Sequence, residues 1–557
     1  MRHELELSIK AAVKELFAVE IDVELTRPDE RFGDFATNIA LVMASRVGQS
    51  PRTIADALAA KLKLNLADKV ANISVVAPGF INLTLKDECL AQMLDVETAK
   101  PLSDQMVIVE YSDPNPFKPL HAGHLYTTLV GDTIARLVER AGAKTVRINY
   151  GGDVGLHVGK SLWAIIKQFN GELPDKLQEI PEEDKPIWLG ERYVEGNNAY
   201  EDNETARAEI IDLNKRIYQL HIDNDHDSPL ARLYFTCREW SYDYFQTLYK
   251  QLEVIPFDRY ISESEVIPVG IAAVEEQLSK GVYQKSNGAV VFFGEKAGLH
   301  TRVFITAEGL PTYETKDVGL SLTKWRDYHF DKSIIITANE QTQYMAVVIA
   351  SMKLFAPEPA ERTRHLTHGV VKLKGGVKMS SRYGNIVTAL QILESARAAG
   401  AESGTNPSEE TILAAVKYTF AKNRIGADII YDPKESIALE GNSGPYLQYA
   451  HARARSILAK AGGQVEIDLT DLETDERVLL RKITQFTEAV DRAVAELMPH
   501  HICTYLYELA QIFNAFYESN RVIGDSRQAV RLKLVNHYAQ TLHNGLELLG
   551  ITAPERL

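Results

Sequence analysis

The stretch MVIVEYSDPNPFKPLHAGHLYTTLVGDTIARLVERAGAKTVRINY, residues 106–150, decides the fold. MVIVEY (106–111) is a short apolar run of the type that lies buried inside a parallel sheet. A turn-rich segment, SDPNPFKP, separates it from an amphipathic helix predicted over about 122–140, where Val130, Ile134 and Leu137 recur at four-three spacing. KTVRINY (144–150) then reads as a second strand. Strand, loop, helix and strand within about 45 residues make a βαβ unit, which implies a parallel sheet with a right-handed crossover.

Working outward, residues 1–100 read as a small α+β domain: helical stretches at 4–18, 36–46 and 51–63, then alternating strand-like runs at 70–76 and 80–85. Residues 101–385 form the α/β domain, and within it 160–300 is mixed, locally acidic and read as an insertion. Strand signals return at VVFF (290–293) and SIIIT (333–337), with a helix starting near Tyr313 between them. From 386 to 557 the pattern is helical. Ile502, Leu506, Leu509, Phe513 and Phe516 step by four and three, and Leu534, Tyr538, Leu542, Leu546 and Leu549 continue in kind, which predicts an all-α domain.

The 557 residues suit about three or four domains, and 45% hydrophobic with 25% charged residues is ordinary for a globular protein. Disordered, collagenous and disulfide-stapled classes are excluded. No apolar run reaches the roughly 18 residues that a membrane-spanning helix needs, and the charged, helix-periodic start MRHELELSIKAAVKELF predicts a cytoplasmic chain with no membrane partner. Cys89, Cys237 and Cys503 are far apart, which argues against structural zinc. The net charge of −15 argues weakly against nucleic acid as a partner, but its distribution says more. Residues 172–212 hold 13 acids and 4 bases, and 464–477 hold 6 acids and 1 base, whereas 362–382 hold six Lys or Arg and no acid.

Two clusters carry chemistry. His121-Ala-Gly123-His124 sits where the strand gives way to its helix, so the helix N-terminus offers N–H donors and a positive dipole end. Gly123 lets a phosphate approach the backbone, and imidazoles three apart reach one ligand. An isolated HxxH is often two unrelated surface histidines or half a metal site; the strand–helix setting favours a phosphate, and no third zinc ligand is nearby. Lys378-Met379-Ser380-Ser381 follows two glycines in the acid-free stretch, a composition suited to closing over a polyphosphate. It is not a Walker loop, because GxxxxGK[ST] is absent from the chain.

Together an HxGH turn and a KMSS loop resemble the paired signatures of class I aminoacyl-tRNA synthetases. VEYSDPNPFKPLHAGHL, RINYGGDVGLHVG, YETKDVG, KMSSRYGN and EGNSGPYLQYAHARARSIL resemble the arginyl-tRNA synthetase family, as do RFGDFATNIA, APGFINL and LELLGITAPER toward the ends. The resemblance implies an α/β Rossmann-type catalytic domain, an N-terminal domain that meets the tRNA elbow and a C-terminal anticodon-binding bundle. It implies an enzyme that joins L-arginine to tRNA(Arg) through an arginyl-adenylate, with ATP and Mg²⁺ as one substrate complex, no zinc, and a monomeric chain. Catalysis would fall to His121, His124, Lys378, Ser380 and Ser381, with His121, Gly123, His124 and Lys378 on ATP.

The family's arginine pocket corresponds to Glu110, Asn115, His121, Tyr313, Asp317 and Gln341. A guanidinium is planar, always charged and best met by carboxylate, and Tyr313 and Asp317, four apart, share a helix face. Phe80, Asn82, Tyr446, Tyr449 and Arg453 correspond to tRNA contacts, and the two acidic segments are expected to face away from tRNA. The family's GDWGxQ reads GDVGLHVG here, which leaves Asp153 and His157 without an assigned role. A synthetase for another amino acid fits the acid pair poorly. A small HxGH nucleotidyltransferase would lack the helical C-terminal third, and a catalytically dead tRNA-binding relative would not be expected to keep His121, His124, Lys378, Glu110 and Asp317.

Overall fold

The computed structural model describes residues 1–95, 100–374, 387–404, 406–462 and 467–556. At its centre is β1 (Met106–Glu110), whose Val107, Ile108 and Val109 are fully buried, as a strand covered on both faces requires. The turn after β1 leads into α1 (Ala122–Arg140), which packs against Tyr111; a Cβ on Gly131 would stand 2.2 Å from that ring, so only glycine allows the approach. β2 (Lys144–Gly151) pairs in parallel with β1 from Met106↔Lys144 to Glu110↔Ile148.

Four further segments frame the sheet: β3 (Arg259–Ser262), α2 (Glu263–Ser279), α3 (Tyr313–Tyr328) and β4 (Lys332–Ala338). With β5 (Thr363–His368) the sheet has the order β5-β4-β1-β2-β3, all parallel. The winding reverses between β1 and β4, and at such a switch point the carboxyl ends of neighbouring strands part to leave a crevice.

The sheet runs through the stretch read as an insertion. β3 lies inside 160–300, and its sequence, RYIS, is too short and polar to carry a buried-strand signature. What enters between β2 and β3 is helical: Leu156–Phe169, Lys185–Asp202, Glu204–Asp223 and Pro229–Gln251 share a core with Leu162, Trp188, Leu213 and Tyr234. The strand at Ala289–Phe292 joins a separate three-stranded antiparallel sheet between α2 and α3. Those two helices touch backbone to backbone. A Cβ on Gly270 would lie 2.1 Å from the Thr315 carbonyl, and one on Gly319 would lie 2.3 Å from that of Val266.

Upstream, helices Arg2–Phe17, Ile39–Val47 and Pro51–Asn65 accompany an antiparallel sheet in which Phe80–Leu85 lies between Phe35–Thr37 and Val70–Val76. Downstream of 387 the described chain is helical apart from short pieces such as Ile429–Tyr431, which pairs with Val371–Leu373. The four-three stripe is buried as expected, and Phe513 stacks on Tyr538 at 3.8 Å. The N-terminal and C-terminal cores are continuous, and ion pairs cross between them: Arg27 with Glu488 at 2.9 Å and Arg477 with Asp34 at 2.6 Å. No described helix is long and apolar enough to cross a membrane.

Candidate active site

A cavity of about 310 Å³ opens at the crevice, and every strand of the parallel sheet delivers a residue to it. Glu110 ends β1, Tyr150 lies near the end of β2, Glu263 follows β3, Ala338 ends β4 and His368 ends β5. The cavity gathers eight expected residues that lie up to 231 positions apart: Glu110, Asn115, His121, Gly123, His124, Tyr313, Asp317 and Gln341. Lys378, Ser380 and Ser381 lie outside the described residues. The chain just after them is anchored at the site, since the Ala122 N–H donates to the Val387 carbonyl and the Ala389 N–H to that of Leu120, each at 2.8 Å.

On the α1 side the two histidines cap their own helix. His121 Nδ1 accepts from the His124 N–H at 3.2 Å, His124 Nδ1 accepts from the His121 N–H at 3.4 Å, and the rings stack at 3.6 Å. Burial pushes His121 down to about 4, with Lys118 and His368 adding, and pushes His124 well below its usual range. Both imidazoles are therefore neutral, and because each Nδ1 is an acceptor, the proton sits on Nε2. The capping also uses N–H groups that the sequence reading left free for a ligand; the Gly123 N–H remains without a partner among the described residues. A Cβ on Gly123 would stand 3.0 Å from the His121 ring, so this glycine serves the stacking as well as any ligand. Lys118 lies nearby with its ammonium 4.7 Å from the Tyr193 ring, and burial lowers it to about 8.

The opposite wall is acidic. Glu110 accepts from Lys324, buried like itself, which also donates to Ser333 Oγ at 3.2 Å. Glu263 accepts likewise from buried Lys316. Removing one partner of such a pair costs about 3–5 kcal/mol, because the other charge is left buried and alone. Asp317 receives the Tyr344 hydroxyl at 2.6 Å and is raised to about 7, chiefly by burial, with Glu110 and Glu263 adding. Tyr313 begins α3 and is 60% exposed, and Asn115 reaches the chain just after β2 because Gly152 has no Cβ, which would sit 2.1 Å from Asn115 Oδ1.

Asp153 and His157 hold this geometry from behind. The fully buried Asp153 accepts from the Ser264 N–H at 2.9 Å, Ser264 Oγ at 2.7 Å and Arg238 at 2.8 Å, which fixes the start of α2 and with it Glu263. His157 Nε2 bonds the Gly152 carbonyl at 2.7 Å, and burial lowers its pKa to about 3. The sequence reading missed Asp113, Glu263, Lys316, Lys324 and Tyr344. The one signal available was helical phase, since Lys324 stands seven residues after Asp317 on α3. Among the described residues no group of three or more His, Cys, Asp or Glu gathers to hold a metal ion.

The residues expected to meet tRNA lie outside the cavity. Phe80 is 39% exposed at the start of its strand, while Asn82 is buried two positions on and paired across the sheet with Ala36 and Ser74. Surface contact at this strand therefore falls to Phe80. Tyr449 is 45% exposed, and the Tyr446 hydroxyl accepts from Asn514 at 2.9 Å. The Arg453 guanidinium lies 4.8 Å from the Tyr517 ring and 6.0 Å from that of Tyr449.

Three family models match along the chain. Residues 3–85 match the arginyl tRNA synthetase N terminal domain, 88–432 the class I (R) tRNA synthetase catalytic domain, and 447–557 the DALR anticodon binding domain. The chain is 30% identical to the arginine–tRNA ligase of Porphyromonas gingivalis, over 99% of each protein. It is also 30% identical to that of Bdellovibrio bacteriovorus, over 95% of this chain and 93% of that one. Among solved structures, the Thermus thermophilus arginyl-tRNA synthetase superposes over 100% of both chains with a TM-score of 0.80 at 26% identity.

Proposed function

The chain belongs to the arginyl-tRNA synthetase family, and on that premise we propose how its cleft charges tRNA(Arg) with arginine. The reaction has two steps. The arginine carboxylate attacks the α-phosphorus of ATP and pyrophosphate leaves; a hydroxyl of the terminal tRNA ribose then takes the aminoacyl group from the adenylate. Class I synthetases use ATP, generally with Mg²⁺, and here Mg²⁺ enters as part of that substrate. In-line displacement at phosphorus spreads charge over the equatorial and leaving oxygens, so the enzyme's task is positioning and electrostatic stabilisation.

The α1 wall supplies it. The Nε2–H groups of His121 and His124 and the Gly123 N–H are neutral donors for phosphate oxygens, with the helix N-terminus behind them. Lys378, Ser380 and Ser381 are assigned to the same phosphates. The acidic wall takes arginine: Asp317 receives its cationic end, Tyr313, Asn115 and Gln341 border the pocket, and Glu110 forms part of the floor with its charge held by Lys324. No general base is assigned.

Phe80 meets the tRNA elbow from a strand that Asn82 holds in place, and Tyr446, Tyr449 and Arg453 meet the anticodon arm, combining stacking rings with a cation. The acidic helices of 172–212 face away from tRNA, as do residues 467–477 of the second acidic segment. The enzyme works in the cytoplasm as a monomer.

One observation carries the reading: neutral N–H donors and a carboxylate with no cationic partner among the described residues open into the same cavity at the switch point. Pyrophosphate exchange with each of the twenty amino acids, with and without tRNA, tests it. Exchange is expected with arginine alone and only when cognate tRNA is present. Exchange driven by another amino acid would sink the assignment, and tRNA-independent exchange would sink only the second expectation.

A further inference from the structure

Setting aside the exposed Glu340, four carboxylates line the cavity: Glu110, Asp113, Glu263 and Asp317. Two are already neutralised, Glu110 by Lys324 and Glu263 by Lys316. Asp113 and Asp317 have no cationic partner among the described residues. Asp113 accepts the Tyr150 N–H on Oδ1 at 2.8 Å, which leaves Oδ2 without a donor among the described residues. The side chain is partly exposed, and the surface it shows lines the cavity.

The backbone points the same way. Ser112 and Asp113 are both left-handed, with φ of 75° and 47°, a conformation that L-residues adopt at a cost and that clusters at functional sites. A buried network enforces it. Ser112 Oγ accepts from Thr128 Oγ1 at 2.7 Å and bonds the Tyr249 hydroxyl at 2.8 Å, which in turn accepts from Asn149 at 3.1 Å. Burial and the nearby Glu110 and Asp317 disfavour the charge on Asp113, a disadvantage that a bound cation removes.

We propose that Asp113 is a specificity residue for arginine, its free Oδ2 accepting from one edge of the guanidinium while Asp317 accepts from another. A guanidinium carries five donors in a rigid fork, so two carboxylates on separate elements can be satisfied at once. The proposal rests on the arginine reading of the cleft.

The test is aminoacylation by Asp113→Asn and Asp113→Gly, two residues that tolerate a left-handed backbone. Asn keeps the acceptor for Tyr150, and loss of a buried charge should leave its melting temperature equal or higher. Both variants are expected to raise the arginine KM by ~10- to 100-fold, the range of a charge-assisted hydrogen bond, with the ATP KM within about twofold. Inhibition by citrulline, which carries a neutral urea in place of the guanidinium, is expected to stay unchanged. An arginine KM within about twofold in both variants would overturn the proposal, as would citrulline inhibition that weakens in parallel with arginine binding. If the unsubstituted enzyme charged no arginine, the reading beneath it would fall instead.

Discussion

On the α1 side of the cleft, His121 and His124 are buried and neutral, whereas Asp317 on α3 and Asp113 in the turn after β1 are carboxylates that no lysine among the described residues neutralises. On the proposed function the two walls face substrates of opposite charge, and they answer differently. ATP brings negative charge, which neutral N–H donors can meet, and burying them costs less than burying a fixed cation. Arginine brings one delocalised positive charge that stays on at any working pH, so its wall needs formal negative charge held out of water. Glu110 and Glu263 differ from them within the same cavity, since each has its charge met by an internal lysine, whereas none of the described lysines pairs with Asp113 or Asp317.

The largest expected effects separate the walls. Asp317→Ala is expected to lower arginine-dependent kcat/KM by ~100- to 1,000-fold, the cost of stripping one partner from a buried charge pair, while ATP binding survives. His124→Ala is expected to lower kcat by ~100-fold with little change in the arginine KM, since its donor matters most as charge builds on phosphate. Steady-state kinetics against each substrate in turn check both. Equal losses for ATP and arginine in either variant would erase the division between the walls. A smaller effect is expected far from the cleft. Tyr449→Ala should raise the tRNA KM by ~5- to 10-fold, near the lower end of what one stacked base is worth, and leave arginine and ATP parameters alone.

Much of this frame was legible in the chain. MVIVE reads as a buried strand because it is one, and Val130, Ile134 and Leu137 sit on the buried face of a helix whose bounds, Ala122–Arg140, match the predicted span. The runs at 70–76 and 80–85 are strands, and the four-three stripe after 500 is core. β3 was not legible, because a four-residue edge strand of polar composition has no period to detect. In the site, HAGH announced itself through its position between strand and helix, whereas Tyr313 and Asp317 were reached through the family resemblance, their four-residue spacing only placing them on one helix face. The pairings were hidden for a physical reason. Lys324 meets Glu110 across 214 positions, and only the parallel register of β1 and β4 with α3 laid over them brings the two together. Asp113 was invisible for a different one: the role proposed for it rests on the left-handed turn that carries it and on the absence of a lysine opposite among the described residues, neither of which spacing encodes.

The pH dependence of kcat/KM for arginine, measured alongside that for ATP, tests the division most directly. Asp317 is raised to about 7 in the empty cleft and must be ionised to hold a guanidinium, so its contribution is present above that pH and lost below it. His121 titrates near 4 and is neutral across the working range. The arginine kcat/KM is therefore expected to fall at least about tenfold per pH unit below ~7, more steeply if Asp113 must also be ionised, with the ATP KM flat down to pH ~5. A flat arginine profile, or an ATP KM that titrates near the ordinary histidine value, would contradict it.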